Sequence, residues 1–196
     1  MSVAEEGPTI QGLPARLRDL FLKPGAEWKQ IEREPATIRG LYVNLIAPLA
    51  AIPVIAGLIF SFAFGEVRAG VAAPAPAVGS AIGQYILWLV IVYAMALVTS
   101  FLSETFGGRK DPLQALKLIA YSLTPVWLAS IFGAFPGAWV LSFSGLYGAF
   151  LLYRGLPRLM QNDDERTMAF AATLIVMLVV LIILAFMLGA CVVGFG

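Results

Sequence analysis

Residues 107–132 read GGRKDPLQALKLIAYSLTPVWLASIF, and how this stretch is read decides the fold. From Pro112 onward it is an apolar run of the length a helix needs to cross a hydrocarbon core, about 20 residues for about 30 Å. It nevertheless carries Lys117, Tyr121 and an internal Thr124-Pro125. Asp111 followed by Pro112 supplies a good N-cap and a proline suited to the first helical turn, so a helix is expected to begin there. Lys117 is the anomaly, because nearly every other charge in the chain lies outside the apolar runs.

Working outward, the chain has 196 residues, of which 60% are hydrophobic and 13% charged, with a mean hydropathy of +0.86. Ordinary soluble domains carry about 25% charged residues, and their apolar residues are not gathered into runs of bilayer length. The composition is that of an integral membrane protein. There is no histidine and a single cysteine, Cys191. A His-based catalytic triad, a multi-His metal site and an intramolecular disulfide are therefore excluded. No cofactor is implied, and a net charge of +1 gives no case for nucleic acid as a partner. The lipid bilayer is the partner that the composition demands.

The pattern predicts an all-α, polytopic protein with five transmembrane helices, at about 41–64, 82–103, 112–132, 136–153 and 168–193. The fourth is the shortest, so a tilted or half-inserted helix is an alternative there. Residues 1–40 form a separate N-terminal segment. Lys and Arg in the connections set the orientation. Arg16, Arg18, Lys23, Lys29, Arg33 and Arg39 precede the first span; Arg109 and Lys110 join the second to the third; Arg154, Arg158 and Arg166 join the fourth to the fifth. Only Arg68 falls on the other side. Eleven against one places the N-terminus in the cytoplasm and the C-terminus outside, as for a multi-pass protein of the cell inner membrane. No cleavable signal peptide is visible in the polar first forty residues.

The N-terminal segment has its own pattern. Leu13, Leu17, Leu20 and Phe21 recur at helical spacing, interrupted by Arg16, Arg18 and Asp19, and after Pro24-Gly25 an apolar side continues with Trp28 and Ile31. Such an amphipathic cytosolic segment suits the plane of the headgroups. It can pack under the bundle as an anchor or serve as a docking surface for a cytosolic protein partner.

Within the third span, Gln114, Lys117, Tyr121 and Thr124 form one stripe at i, i+3, i+7 and i+10. Polar groups at membrane depth should face protein or water, so this stripe points into the bundle. Lys117 lies roughly 7–8 Å from the helix start, shallow enough to snorkel. Glu104, at the end of the second span, is expected within reach of it across the short connection FGGRKD. Asn44, on the first span, adds a polar group on the same side. Asn44, Glu104, Gln114, Lys117 and Tyr121 are thus the in-span polar cluster, structural or functional. Pro48 and Pro53 in the first span, and Pro125 in the third, are expected to kink their helices. Ser144-xxx-Gly148, Ala185-xxx-Gly189 and Ala190-xxx-Gly194 permit close helix contacts, within the chain or between chains of a homo-oligomer. No base–nucleophile pair can be composed, and the chain is expected not to be an enzyme.

One longer string ties these pieces together. Ala120-Tyr121-Ser122 with Pro125, then Pro136, Gly145-Leu146-Tyr147, Tyr153, Gly155-Leu156 and Leu159-Met160 resemble the Yip family of Ypt/Rab-interacting membrane proteins, in particular its bacterial relatives. Gly107-Gly108 and the tail residues Phe21-Leu22, Pro24, Trp28, Ile31 and Glu34 extend the likeness over most of the chain. The resemblance implies a five-span fold with a cytoplasmic N-terminus. For eukaryotic members it implies contact with small GTPases and a role in membrane traffic; of their cytosolic DLYGP motif only Asp19-Leu20-Phe21 has a counterpart here. The expected function is a non-enzymatic membrane interaction or organising module. The alternative is a small transporter or conduit that uses the polar face of the third span. The two differ in whether the polar groups line an open path or close on one another.

Overall fold

In the computed structural model, residues 12–60, 74–132 and 143–194 are described. Among them the chain is all helical, without a strand. Helices α1 (Leu13–Leu22) and α2 (Pro24–Arg33) form an N-terminal hairpin. A short turn of helix, α3 (Ile38–Leu41), passes through a π-helical turn (Tyr42–Ile46) into α4 (Ala47–Phe60). The long helices α5 (Pro74–Ser103), α6 (Pro112–Ala129) and α8 (Thr167–Gly194) follow, with α7 (Ser144–Leu159) between the last two. Among the described residues, four helical stretches are long and apolar enough to cross a membrane: Ile38–Ile59, Ala81–Phe106, Pro112–Phe132 and Asp164–Leu184.

α6 is the central helix. Its N-terminus begins where the sequence indicated, with the Asp111 carboxylate accepting from the amides of Leu113 and Gln114. The helix continues through Pro125, and Leu116, Leu118, Ala120, Tyr121 and Trp127 are all buried. α7 runs antiparallel beside it. A Cβ on Gly148 would lie 2.7 Å from the carbonyl oxygen of Ser122, so glycine is what allows the two backbones to meet there. This close contact lies within the chain. Cys191 and the pairs Ala185-xxx-Gly189 and Ala190-xxx-Gly194 lie outside the residues whose side chains are described.

The connections at one end of the bundle also touch. The amide of Arg109 donates to Met160 O at 2.7 Å, and that of Asp163 to Phe106 O at 3.4 Å. Gly107 turns there with φ +78°, a conformation that side-chain-bearing residues rarely adopt. Phe106 stacks on Phe170 with centroids 4.5 Å apart, tying the end of α5 to α8. The basic residues of 109–110 and 154–166 therefore gather at one end of the molecule.

Three boundaries differ from the sequence reading. The first apolar helix begins at Ile38 rather than 41, and its π turn lies directly ahead of Pro48, where a wider turn takes up the ring that an α-turn would not fit. α5 begins well before residue 82, because the Ala/Pro-containing stretch ahead of it is helical from Pro74. Residues 136–142 of the expected fourth span, including Pro136, lie outside the described residues, and α7 runs past 153 to Leu159. Arg154 looked like the start of a loop, but it sits on the exposed side of a helix that continues through Pro157.

Candidate functional site

The polar stripe of α6 is where the site lies, and the N-terminal hairpin completes it. A helix leaves its last four carbonyls without internal donors. At the C-terminus of α2, Lys117 donates its ammonium to Ile31 O at 2.8 Å and to Glu34 O at 2.6 Å. One turn earlier on α6, Gln114 Nε2 donates to Glu32 O at 3.0 Å. Two side chains of the central helix thus cap α2, and a cation sits at the negative end of its dipole. Lys117 is 2% exposed.

This corrects two expectations. Lys117 does not reach out to the interface as a snorkelling side chain, and no described ion pair joins it to Glu104. Glu104 lies exposed in a 3-10 turn (Glu104–Phe106) beyond α5. The ammonium is met instead by carbonyl oxygens of the hairpin. Asn44 is half-buried in the π turn, and no described hydrogen bond links it to Lys117 or Tyr121. Of the five cluster residues, the structure brings together Gln114, Lys117 and Tyr121 and leaves out Asn44 and Glu104.

One turn further along α6, the Tyr121 hydroxyl accepts from Arg16 Nη1 at 3.4 Å. Arg16 also donates through Nε to Glu27 Oε1 at 3.1 Å, and through Nη1 to the Glu34 carboxylate. A single guanidinium therefore links α1, both ends of α2 and the central helix. Burial pushes the Glu27 carboxyl above its ordinary range, with the Arg16 charge opposing the shift. Thr124, the last residue of the stripe, donates back to Ala120 O at 3.2 Å, within its own helix.

The apolar side of the hairpin is buried with equal care. Leu20, Trp28 and Ile31 are fully buried, and Trp28 meets Tyr121 edge-on at 6.2 Å. A Cβ on Gly155 would lie 2.9 Å from the Trp28 ring and 2.5 Å from Leu118 Cδ1. Tyr147 donates to Phe21 O at 2.8 Å and stacks on the Phe21 ring at 5.4 Å. Among the residues that carried the family resemblance, Tyr121, Tyr147 and Gly155 all touch the hairpin. Pro125 is buried within α6, whereas Gly145 faces open space. Sequence reasoning missed Arg16, Glu27 and Glu34 as a network. The available signal was the placement of Arg16 between Leu13 and Leu17 on an otherwise apolar face.

Among the described residues no group of histidine, cysteine, aspartate or glutamate side chains is placed to hold a metal ion. The arrangement is that of a lock, in which charge-assisted hydrogen bonds hold one segment against another.

A family model described as the Yip1 domain matches residues 18–187. Inner membrane protein YohC of Escherichia coli (strain K12) is 25% identical over 162 residues, which covers 79% of this chain and 83% of that protein. The protein of the same name from Escherichia coli O6:H1 matches to the same extent. No solved structure matches.

Proposed function

The chain belongs to the Yip1 domain family, as an integral membrane protein with several apolar spanning helices; we propose that it acts as a non-enzymatic interaction or organising module. The observation that carries this reading is the closure of the polar stripe. Gln114, Lys117 and Tyr121 are engaged by the hairpin, so they close on protein groups, which favours the module over a conduit. A conduit needs polar side chains left free along a continuous path.

In this reading the protein lies in the cell inner membrane, as its E. coli relative's name says of that protein. It crosses five times, with the N-terminus in the cytoplasm and the C-terminus outside. Two observations support five crossings. The chain leaves α6 at Phe132 and enters α8 beside Phe106, at the opposite end of α6, which supports a crossing by the helix in between. α7 is that segment, and its 16 residues cover roughly 24 Å. The basic connections then share the cytoplasmic side.

The hairpin is the part of this module that meets the cytosol. Its inner face is consumed by the bundle, and Arg18, Lys29 and Arg33 remain exposed on the outer one. A cytosolic protein with an acidic surface is the partner this face suits.

Two experiments test the proposal. A reporter active only in the cytoplasm should work when fused after Arg158 and fail after Gly196; activity at both positions contradicts five spans. A photo-crosslinking residue in place of exposed Gln30 should trap a cytosolic protein in native membranes, and adding Lys29→Glu with Arg33→Glu should abolish the adduct. Unchanged adducts in the charge-reversed protein, or none without the reversal, would count against the module.

A further inference from the structure

The docked hairpin leaves a second feature that the lock does not use. Between the first turn of α2, the last two turns of α7 and the start of the 3-10 turn Asp164–Arg166 lies a cavity of about 530 Å³. That volume is within the range of small-molecule sites, about 300–1,000 Å³. Its wall includes Gly25, Trp28, Tyr153, Arg154, Arg158 and Asp164.

Arg154 and Arg158 stand one turn apart on α7, on the same face. Neither makes an ion pair with a described carboxylate. Arg154 instead lies over the ring of Phe150, 5.8 Å from its centroid, and Asp164 is the one acid in the wall, so the cations outnumber it. Gly25 belongs to the first turn of α2, the positive end of that helix's dipole. Trp28, fully buried, closes part of the wall. Cations and a helix N-terminus ask for the same thing, an anion rich in acceptor oxygens.

We infer that this cavity is a binding site for a phosphate-bearing headgroup of an anionic phospholipid. The site lies at the end of the bundle where the connections meet, beside the start of the spanning stretch Asp164–Leu184, and basic pockets at the ends of spanning helices suit such ligands. Tyr153 and Phe150, both exposed, flank the arginines on α7 and provide apolar contact for the acyl side of a lipid. A soluble phosphate ester offers the same oxygens without that apolar side. The inference does not depend on the docking function proposed above.

The test uses the full chain in a mild nonionic detergent, with retained lipid read by native mass spectrometry and folding by circular dichroism. Wild type should retain phosphatidylglycerol in preference to phosphatidylcholine. Retention should fall roughly fivefold for each arginine removed in Arg154→Gln and Arg158→Gln, and roughly 25-fold for both, while phosphatidylcholine is unaffected. Asp164→Asn should shift retention the other way, which a merely misfolded variant would not do. Displacement of phosphatidylglycerol by inorganic phosphate would assign the site to soluble phosphate esters instead of lipid. Equal retention of the two lipids by wild type, or equal phosphatidylglycerol retention by the double variant, overturns the inference.

Discussion

Helices α6 and α8 are both apolar and both long enough to cross a bilayer, yet they do different work. In the most apolar 18 residues of Pro112–Phe132, 67% are buried within the protein, against 22% in those of Asp164–Leu184. Val176, Val179, Val180, Ile183 and Leu184 of α8 are exposed, as suits a helix facing lipid. α6 instead carries Gln114, Lys117 and Tyr121, and each is matched by a group on the hairpin. The difference shows what places polar residues in a span. They are tolerated where another segment of protein, here one outside the membrane-crossing set, supplies their partners.

The comparison breaks most easily at Trp28. Truncation to alanine removes the largest side chain buried between the hairpin and α7, and a loss of about 3–5 kcal/mol is expected. Thermal unfolding in detergent measures it, and a matched truncation of exposed Val180 on α8 should cost almost nothing. Equal effects at the two sites would erase the distinction drawn here. Gly155→Ala probes the same contact by overfilling it. With Leu118 and Trp28 both closer to the new methyl than ordinary contact allows, a loss of about 1–3 kcal/mol is expected.

A third test separates the lock from a helix-to-helix ion pair. Glu104→Gln should change stability by no more than about 0.5 kcal/mol, since the side chain is exposed. Combined with Lys117→Gln, the effects should add to within about 0.3–0.5 kcal/mol. Coupling well beyond that would restore the pair that the geometry excludes.

The smallest effect concerns pH. Burial raises the Glu27 carboxyl above its ordinary value. A carboxyl raised in the folded state lends stability below its unfolded pKa and loses it as pH climbs through the folded one. Glu27→Gln should therefore gain on wild type as pH is raised from the ordinary carboxylate range toward neutrality. Melting temperatures of the two proteins compared across that range should move in this sense; a wild type that instead gains on Glu27→Gln as pH rises would mean Arg16 outweighs burial.

Much of this fold was legible from the apolar runs and their caps. Asp111-Pro112 marked the start of α6 correctly, because an N-cap and a proline act within one turn of the chain. The stripe on α6 was legible for the same local reason. Its partner was not. Lys117 answers carbonyls more than eighty residues away, and backbone oxygens carry no signature in a sequence, whereas Glu104 advertised itself as a nearby carboxylate. The extent of α7 was hidden by Arg154 and Pro157, which read as loop residues until Gly155 and Leu156 are seen packed inside. Asn44 shares the polarity of the cluster but not its place, since spacing along one helix says nothing of a neighbour's rotation.

The central claim is that Lys117 holds the hairpin against the bundle. Hydrogen exchange of the full chain in detergent, comparing wild type with Lys117→Leu, tests it most directly. Removing charged hydrogen bonds worth about 1.5–3 kcal/mol should speed exchange roughly tenfold or more at the amides of 26–34. The amides of α5 and α8 should keep their protection. Unchanged protection across 26–34, with the loss appearing along α5 or α8 instead, would contradict the account.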